Sequence, residues 1–161
     1  MRILITGSEG QLGQVLKLTK PNNNEYLFCN KKILDITNST NCRDIVKKFK
    51  PDWVINCAAY TAVDNAEDDR ENVFLVNSYG PKIICEEITK YGGRLLHISS
   101  DFVFNGKNNL PYRSDHHVDP ISVYGKSKAE GEKYILKFPN NIILRTSWLY
   151  GDKGNNFLKT I

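Results

Sequence analysis

Residues 1–13, with the sequence MRILITGSEGQLG, decide the fold of this chain. The apolar run Arg2–Thr6 predicts a buried strand, and Gln11–Thr19 has the apolar spacing of a helix. Between and just after them lie three glycines, Gly7, Gly10 and Gly13. In turns of this kind, glycines allow a tight bend, a close approach of backbone to ligand, and close packing of helix on strand. The segment therefore predicts a strand, a ligand-binding turn and a helix in direct succession.

The start of this helix favours an anionic ligand. Free N–H groups and the positive end of the helix dipole lie there, where the pyrophosphate of a dinucleotide binds in Rossmann folds. An NAD-type site usually has an acidic residue about 20 positions later, at the end of the second strand. Asn30 holds that position and is followed by Lys31 and Lys32. A neutral residue beside a lysine favours the 2′-phosphate of NADPH, with NADH tolerated. The alternative interpretation is that both lysines are ordinary solvated residues.

Short apolar runs alternate with amphipathic segments along the chain. The predicted strands cover residues 2–6, 25–29, 53–56, 94–98 and 141–145. The predicted helices cover residues 11–19, 40–50, 67–91 and 124–137, with Ser39 or Thr40 capping the second and a break near Gly80 and Pro81 in the third. This alternation predicts an α/β fold, a Rossmann-type doubly wound parallel sheet with helices on both faces.

The end of the chain predicts further structure. Residues 157–161 look like the start of another amphipathic helix, and a sheet that stops at its fifth strand leaves an apolar edge uncovered. We expect residues 1–161 to be an NAD(P)-binding domain that is truncated before a C-terminal substrate-binding part, so that the substrate domain is largely absent. The alternative is a naturally complete small domain.

Composition excludes several other classes. The net charge of +4 is spread along the chain rather than gathered in a basic tract, so we expect no nucleic-acid partner. No apolar run is long enough to span a membrane and no signal peptide is evident, so we expect a cytoplasmic protein with no membrane partner. The four cysteines form no C-x-x-C pair and the three histidines no H-E-x-x-H motif, so we expect no metal.

Two further segments carry candidate catalytic residues. Tyr124 and Lys128 form a Y-x-x-x-K pair, and on a helix this spacing places the phenol and the ammonium on one face. A neighbouring cation stabilises a phenolate and should lower the pKa of Tyr124 towards the working pH. Ser100 follows the fourth predicted strand, at the edge where parallel sheets bind ligands. The three residues predict a reductase site in which the tyrosine donates a proton to a carbonyl oxygen while hydride reaches the carbon.

These motifs resemble the short-chain dehydrogenase/reductase superfamily and, within it, the dTDP-4-dehydrorhamnose reductase family. The resemblance runs through the whole chain and is most specific in AAYTAVD at residues 58–64 and RTSWLYG at residues 145–151. Other family-like stretches are residues 7–13, 34–37, 56–57, 76–77, 99–106, 124–128 and 154–157. The resemblance implies reduction, with NADPH or NADH, of the C4 ketone of dTDP-4-dehydro-L-rhamnose to dTDP-L-rhamnose, a precursor of cell-surface polysaccharide. It also allows a homodimer.

The resemblance further assigns roles residue by residue. It implies that Tyr124 is the proton donor, that Lys128 holds the nicotinamide ribose, and that Ser100 assists. The implied cofactor-binding residues are Gly7, Gly10, Gln11, Leu12, Gly13, Asn30, Asp35, Ile36, Ala58, Ala59, Tyr60, Thr61, Tyr124 and Lys128. The implied substrate-binding residues are Ser100, Asp101 and Trp148.

Related functions remain as alternatives. Family members usually have threonine in place of Ser100 and tyrosine in place of Phe102. Sugar-nucleotide dehydratases of the superfamily carry glutamate where Phe102 stands, and this difference argues against dehydration. A nucleotide-sugar epimerase stays open. So does a non-catalytic dinucleotide-binding subunit that resembles the regulatory subunit of methionine adenosyltransferase, although Ser100, Tyr124 and Lys128 argue for retained chemistry.

Overall fold

The computed structural model of the chain describes residues 1–154, 156 and 159. Of the further helix predicted at residues 157–161, only Lys159 is among the described residues. The motif residues Asn155 and Phe157 also lie outside them.

The described residues form one parallel sheet with flanking helices. The strands are β1 (Arg2–Thr6), β2 (Glu25–Cys29), β3 (Trp53–Asn56), β4 (Arg94–Ser100) and β5 (Ile142–Thr146). The helices are α1 (Gln11–Thr19), α2 (Ser39–Phe49), α3 (Arg70–Phe74), α4 (Gly80–Thr89) and α5 (Val123–Ile135), with a π-helical turn at Leu75–Tyr79 and a 3-10 turn at Asp101–Val103. The strand order is β2-β1-β3-β4-β5, which confirms the predicted doubly wound parallel sheet.

The position of the site follows from this order. β1 pairs with β2 on one side and with β3 on the other, so the chain reverses direction across the sheet at β1. Thr6 pairs with both Cys29 and Asn56, which brings the carboxyl ends of the three strands level. Open parallel sheets bind ligands in the crevice at such a switch point. We therefore expect the site above the ends of β1 and β3.

The core fixes this arrangement. On one face, α2, α4 and α5 cover the sheet with a cluster in which Val46, Ile88 and Ile135 pack with Leu4 and Leu95 of the strands. Right-handed crossovers place α1, which leads from β1 to β2, on the opposite face. The predicted helices on both faces are thus confirmed, and no helix of the described residues is long and apolar enough to cross a membrane.

Several predicted boundaries are wrong by a few residues. Asn38, not Ser39 or Thr40, caps α2, because its side chain accepts a hydrogen bond from the N–H of Asn41 at 3.0 Å. β4 continues through Ser99 and Ser100, since its pairing with β5 extends to the Ser100–Thr146 pair. The helix predicted at residues 67–91 starts at Arg70. Its break is a π-helical turn just before Gly80.

Candidate active site

The glycine turn after β1 lies against the end of β3. Gly7 has a φ of +62°, and a Cβ at this position would lie 2.7 Å from the Ala58 nitrogen, so only glycine fits. Gly13 packs underneath, where a Cβ would lie 2.5 Å from the Gly7 oxygen. Gly10 caps α1, and among the described residues no side chain satisfies the N–H groups of the first turn. These N–H groups are positioned for an anion such as a pyrophosphate.

A cavity of about 370 Å³ opens beside this turn. Of the predicted cofactor-binding residues, its lining contains Gly7, Gly10, Asn30, Asp35, Ile36, Ala58, Ala59 and Tyr60. Because it extends from the glycine turn to the end of β2 and the loop after it, we call it the adenosine cavity. Its position suits the adenosine half of a dinucleotide.

One carboxylate of the adenosine cavity is held tightly. Asp35 accepts hydrogen bonds from the N–H of Thr37 at 3.0 Å and from its hydroxyl at 2.7 Å. Burial pushes the pKa of Asp35 upward, but the bonds from Thr37 and the charge of Lys31 outweigh burial, and the pKa is lowered. Asp35 is therefore an anion at neutral pH and adds negative charge to this end of the site.

A second cavity, of about 220 Å³, holds the predicted catalytic residues. Its lining contains Leu12, Thr61, Ser100, Asp101, Tyr124, Lys128 and Trp148, and we call it the catalytic cavity. Cys57 and Ala59 line both cavities, so the two adjoin above the end of β3. The fold thus brings the glycine turn, the strand-four serine and the Y-x-x-x-K pair to one edge of the sheet.

Tyr124 lines the catalytic cavity and is only 8% exposed. Its ring meets the Phe102 ring edge to face, with centroids 5.6 Å apart. Burial raises the pKa of Tyr124 and the charge of Asp101 raises it further, while a hydrogen bond with Ser100 lowers it. The expectation that Lys128 brings this pKa below its usual value is therefore wrong for the described site, where burial dominates. A protonated phenol is the form that can donate a proton.

Ser100 links the strand end to the residues around it. Its hydroxyl accepts a hydrogen bond from the N–H of Phe102 at 3.2 Å and donates to Asp101 at 3.0 Å. It also bonds with Tyr124. The serine hydroxyl is thereby fixed between the phenol and a carboxylate, at the edge where a substrate carbonyl would have to lie.

Lys128 is held by the strand below it. The residue is 2% exposed, and its ammonium donates to the Ile98 carbonyl at 2.6 Å. Its Nζ also lies 3.3 Å from Nε2 of His97, which is fully buried. Burial lowers the pKa of Lys128 to about 8, although the charge of Glu132 opposes the shift.

Behind His97, a buried polar chain crosses the sheet. His97 Nδ1 lies 3.0 Å from the Asn56 amide nitrogen, and Asn56 accepts a hydrogen bond from the Thr6 hydroxyl at 2.6 Å. No sequence motif assigns a role to His97. Residues two positions apart in a strand lie on the same face, so His97 shares with Leu95 the face of β4 beneath α5. This spacing could have identified His97 from the sequence.

Asn77 is another residue that the sequence analysis did not assign a role. It accepts a hydrogen bond from the Tyr60 N–H at 2.9 Å and donates to the Tyr60 carbonyl at 3.1 Å. Its amide also donates to the Ser127 hydroxyl at 3.1 Å. The π-helical turn that carries Asn77 therefore ties the Tyr60 segment of the adenosine cavity to α5, which carries Tyr124.

Two predicted cofactor-binding residues line neither cavity. Gly13 lies beneath the glycine turn, and Gln11 accepts a hydrogen bond from Asn156 at 3.2 Å.

Within the described residues no group of three or more His, Cys, Asp or Glu could hold a metal ion.

The family described as RmlD substrate binding domain matches residues 1–161. The dTDP-4-dehydrorhamnose reductase of Aggregatibacter actinomycetemcomitans is 44% identical to the chain, covering 99% of the chain and 55% of that protein. The chain thus spans about half the length of the curated relatives it matches.

Solved structures agree with this comparison. A dTDP-4-dehydrorhamnose reductase from Clostridium acetobutylicum superposes with a TM-score of 0.95 at 42% identity, covering 99% of this chain and 57% of that one. The dTDP-4-dehydrorhamnose reductase of Bacillus anthracis in complex with NADP superposes with a TM-score of 0.96 at 40% identity, with the same coverage.

Proposed function

Since the chain belongs to the RmlD substrate binding domain family, we propose that the complete gene product reduces the C4 ketone of dTDP-4-dehydro-L-rhamnose to dTDP-L-rhamnose with NADH or NADPH. Residues 1–161 are its NAD(P)-binding domain. The observation that carries the proposal is the junction of the two cavities at Cys57 and Ala59, because it joins the adenosine cavity beside the glycine turn to a buried tyrosine, lysine and serine.

The residues present fit a nicotinamide dinucleotide. The uncapped first turn of α1 and the close approach of Gly7 to Ala58 leave a backbone cradle for the pyrophosphate. Asp35 and Ile36 flank the adenine end, while Lys128 lies at the opposite end of the groove. The bound cofactor supplies the hydride.

The chain's own residues supply the proton. Burial keeps the Tyr124 phenol protonated by raising its pKa, so that it donates to the substrate oxygen as the ketone is reduced. Ser100 orients the same oxygen through its hydroxyl. Lys128 holds the ribose next to the nicotinamide.

Support for the substrate comes from the relatives and from the rim of the catalytic cavity. Several curated relatives that are 34–44% identical to the chain are named dTDP-4-dehydrorhamnose reductase. Asp101 and the largely exposed Trp148 line the rim, where a sugar and a base can make polar and stacking contacts.

The test is a steady-state assay of the complete gene product with dTDP-4-dehydro-L-rhamnose and reduced nicotinamide cofactor. We expect oxidation of one cofactor for each dTDP-L-rhamnose formed. Cofactor binding without turnover would instead favour a regulatory subunit, and interconversion of sugar epimers without net cofactor oxidation would favour an epimerase.

A further inference from the structure

The adenosine cavity contains a carboxylate that the sequence analysis did not consider. Glu9, in the glycine turn, lines the cavity together with Asn30. The Asn30 amide donates a hydrogen bond to the Glu9 carboxylate at 2.6 Å. In NAD-type sites, the acid that binds the ribose 2′-hydroxyl stands at the end of the second strand. Here Asn30 holds that position, and Glu9 brings a carboxylate to it from the neighbouring turn.

This contact is fixed from both sides. The Asn30 side-chain oxygen accepts hydrogen bonds from the N–H groups of Lys32 and Ile33, both at 3.1 Å, so its amide nitrogen must point away from them towards Glu9. On the other side, the Ser8 N–H donates to the Cys29 carbonyl at 3.1 Å, which ties the glycine turn to the end of β2.

The charge of the adenosine cavity also favours a ribose 2′-hydroxyl over a 2′-phosphate. Its charged lining residues are Glu9, Asp35 and Lys31, which leaves a formal charge of about −1. Among the described residues, no ion pair neutralises Glu9. A 2′-phosphate would enter this environment with about two negative charges at neutral pH, whereas a ribose 2′-hydroxyl enters with none and can donate to the carboxylate.

We propose that Glu9 is a specificity-determining residue that selects NADH over NADPH, by accepting a hydrogen bond from the adenosine ribose and repelling the 2′-phosphate. The inference rests on the proposed dinucleotide site. It replaces the expectation of NADPH, which weighed Asn30, Lys31 and Lys32 without the carboxylate that lies against Asn30.

The test measures dissociation constants of NADH and NADPH by calorimetry for the complete gene product, for Glu9→Gln, and for the control Glu25→Gln. Glu25 lies at the opposite end of β2, so the control makes the same change in net charge away from the cavity. We expect the wild-type protein and the control to bind NADH more tightly than NADPH. Glu9→Gln should lower the ratio of the NADPH dissociation constant to the NADH dissociation constant by about tenfold, mainly through tighter NADPH binding.

The remaining outcomes are distinct. Tighter binding of NADPH by the wild-type protein, or a ratio that Glu9→Gln leaves unchanged, would overturn the role of Glu9 and leave the dinucleotide site intact. Binding of neither cofactor would overturn the proposed function and this inference together.

Discussion

Lys128 Nζ lies 3.3 Å from His97 Nε2, and neither side chain is more than 2% exposed. The charge on Lys128 therefore decides which ring nitrogen of His97 carries the proton. A charged ammonium needs an acceptor at Nε2, which puts the ring proton on Nδ1 and requires the Asn56 amide to turn its oxygen towards that proton. A neutral amine accepts from Nε2–H instead, and Nδ1 then accepts from Asn56. Burial lowers the pKa of His97 well below its usual range, so the ring stays neutral in both states.

We expect the His97 tautomer to follow the titration of Lys128. Because the pKa of Lys128 is about 8, His97 should carry its proton on Nδ1 at about pH 6.5 and on Nε2 at about pH 9.5. Nitrogen-15 chemical shifts from long-range proton–nitrogen correlation spectra report the tautomer, and the chain has only three histidines to assign. One unchanged tautomer over this range would show that the two residues are not coupled.

The buried lysine should also make stability depend on alkaline pH. Between about pH 8 and pH 10.5 the folded lysine is neutral while the unfolded one is still protonated, so the unfolded state binds more protons and raising the pH stabilises the fold. From about pH 7 to pH 9.5, the free energy of unfolding of the wild type should rise by about 2 kcal/mol relative to Lys128→Met. Urea unfolding of both proteins measures this difference, and parallel pH profiles would refute it.

The clamp formed by Asn77 should matter to both stability and binding. Asn77→Asp keeps the acceptor for the Tyr60 N–H but loses the donors to the Tyr60 carbonyl and Ser127. We expect a loss of about 3 kcal/mol in the free energy of unfolding and weaker dinucleotide binding. The exposed Asn23→Asp is the matched control and should change neither quantity. Wild-type cofactor affinity in a folded Asn77→Asp protein would show that the clamp does not shape the adenosine cavity.

The packing of α5 against the π-helical turn predicts a steric effect. A Cβ at Gly131 would lie 2.3 Å from the Asn77 carbonyl oxygen, a backbone atom that cannot move aside without displacing the turn. Gly131→Ala should therefore lower the free energy of unfolding by about 3 kcal/mol. Gly151→Ala is the control, because the space within 4 Å of the point where its Cβ would lie is open. Equal thermal stability of the two variants would contradict the packing described.

Much of the fold could be predicted from local sequence. The limits of β1, β2, β3 and α1 follow from apolar runs that end at glycine, asparagine or a change of period, and the structure confirms them. The glycine turn and the Y-x-x-x-K pair also locate the two ends of the site, since each is a short motif whose geometry the backbone fixes.

Features that depend on contacts between distant segments could not be predicted in this way. The π-helical turn at Leu75–Tyr79 accompanies the bonds of Asn77 to Tyr60 and Ser127, which lie 17 and 50 residues away. Glu9 meets Asn30 only because β1 and β2 pair. Likewise, spacing alone suggested that Lys128 would dominate the pKa of Tyr124, whereas burial decides it.

The central claim is that Tyr124 donates the proton in a reduction at the catalytic cavity. The most direct measurement is the turnover of Tyr124→Phe in the complete gene product with dTDP-4-dehydro-L-rhamnose, with Tyr134→Phe, on the same helix, as the control. We predict a loss of turnover of about 100- to 10,000-fold with cofactor affinity nearly unchanged, and wild-type turnover in the control. Turnover of Tyr124→Phe within a few-fold of the wild type would contradict the account.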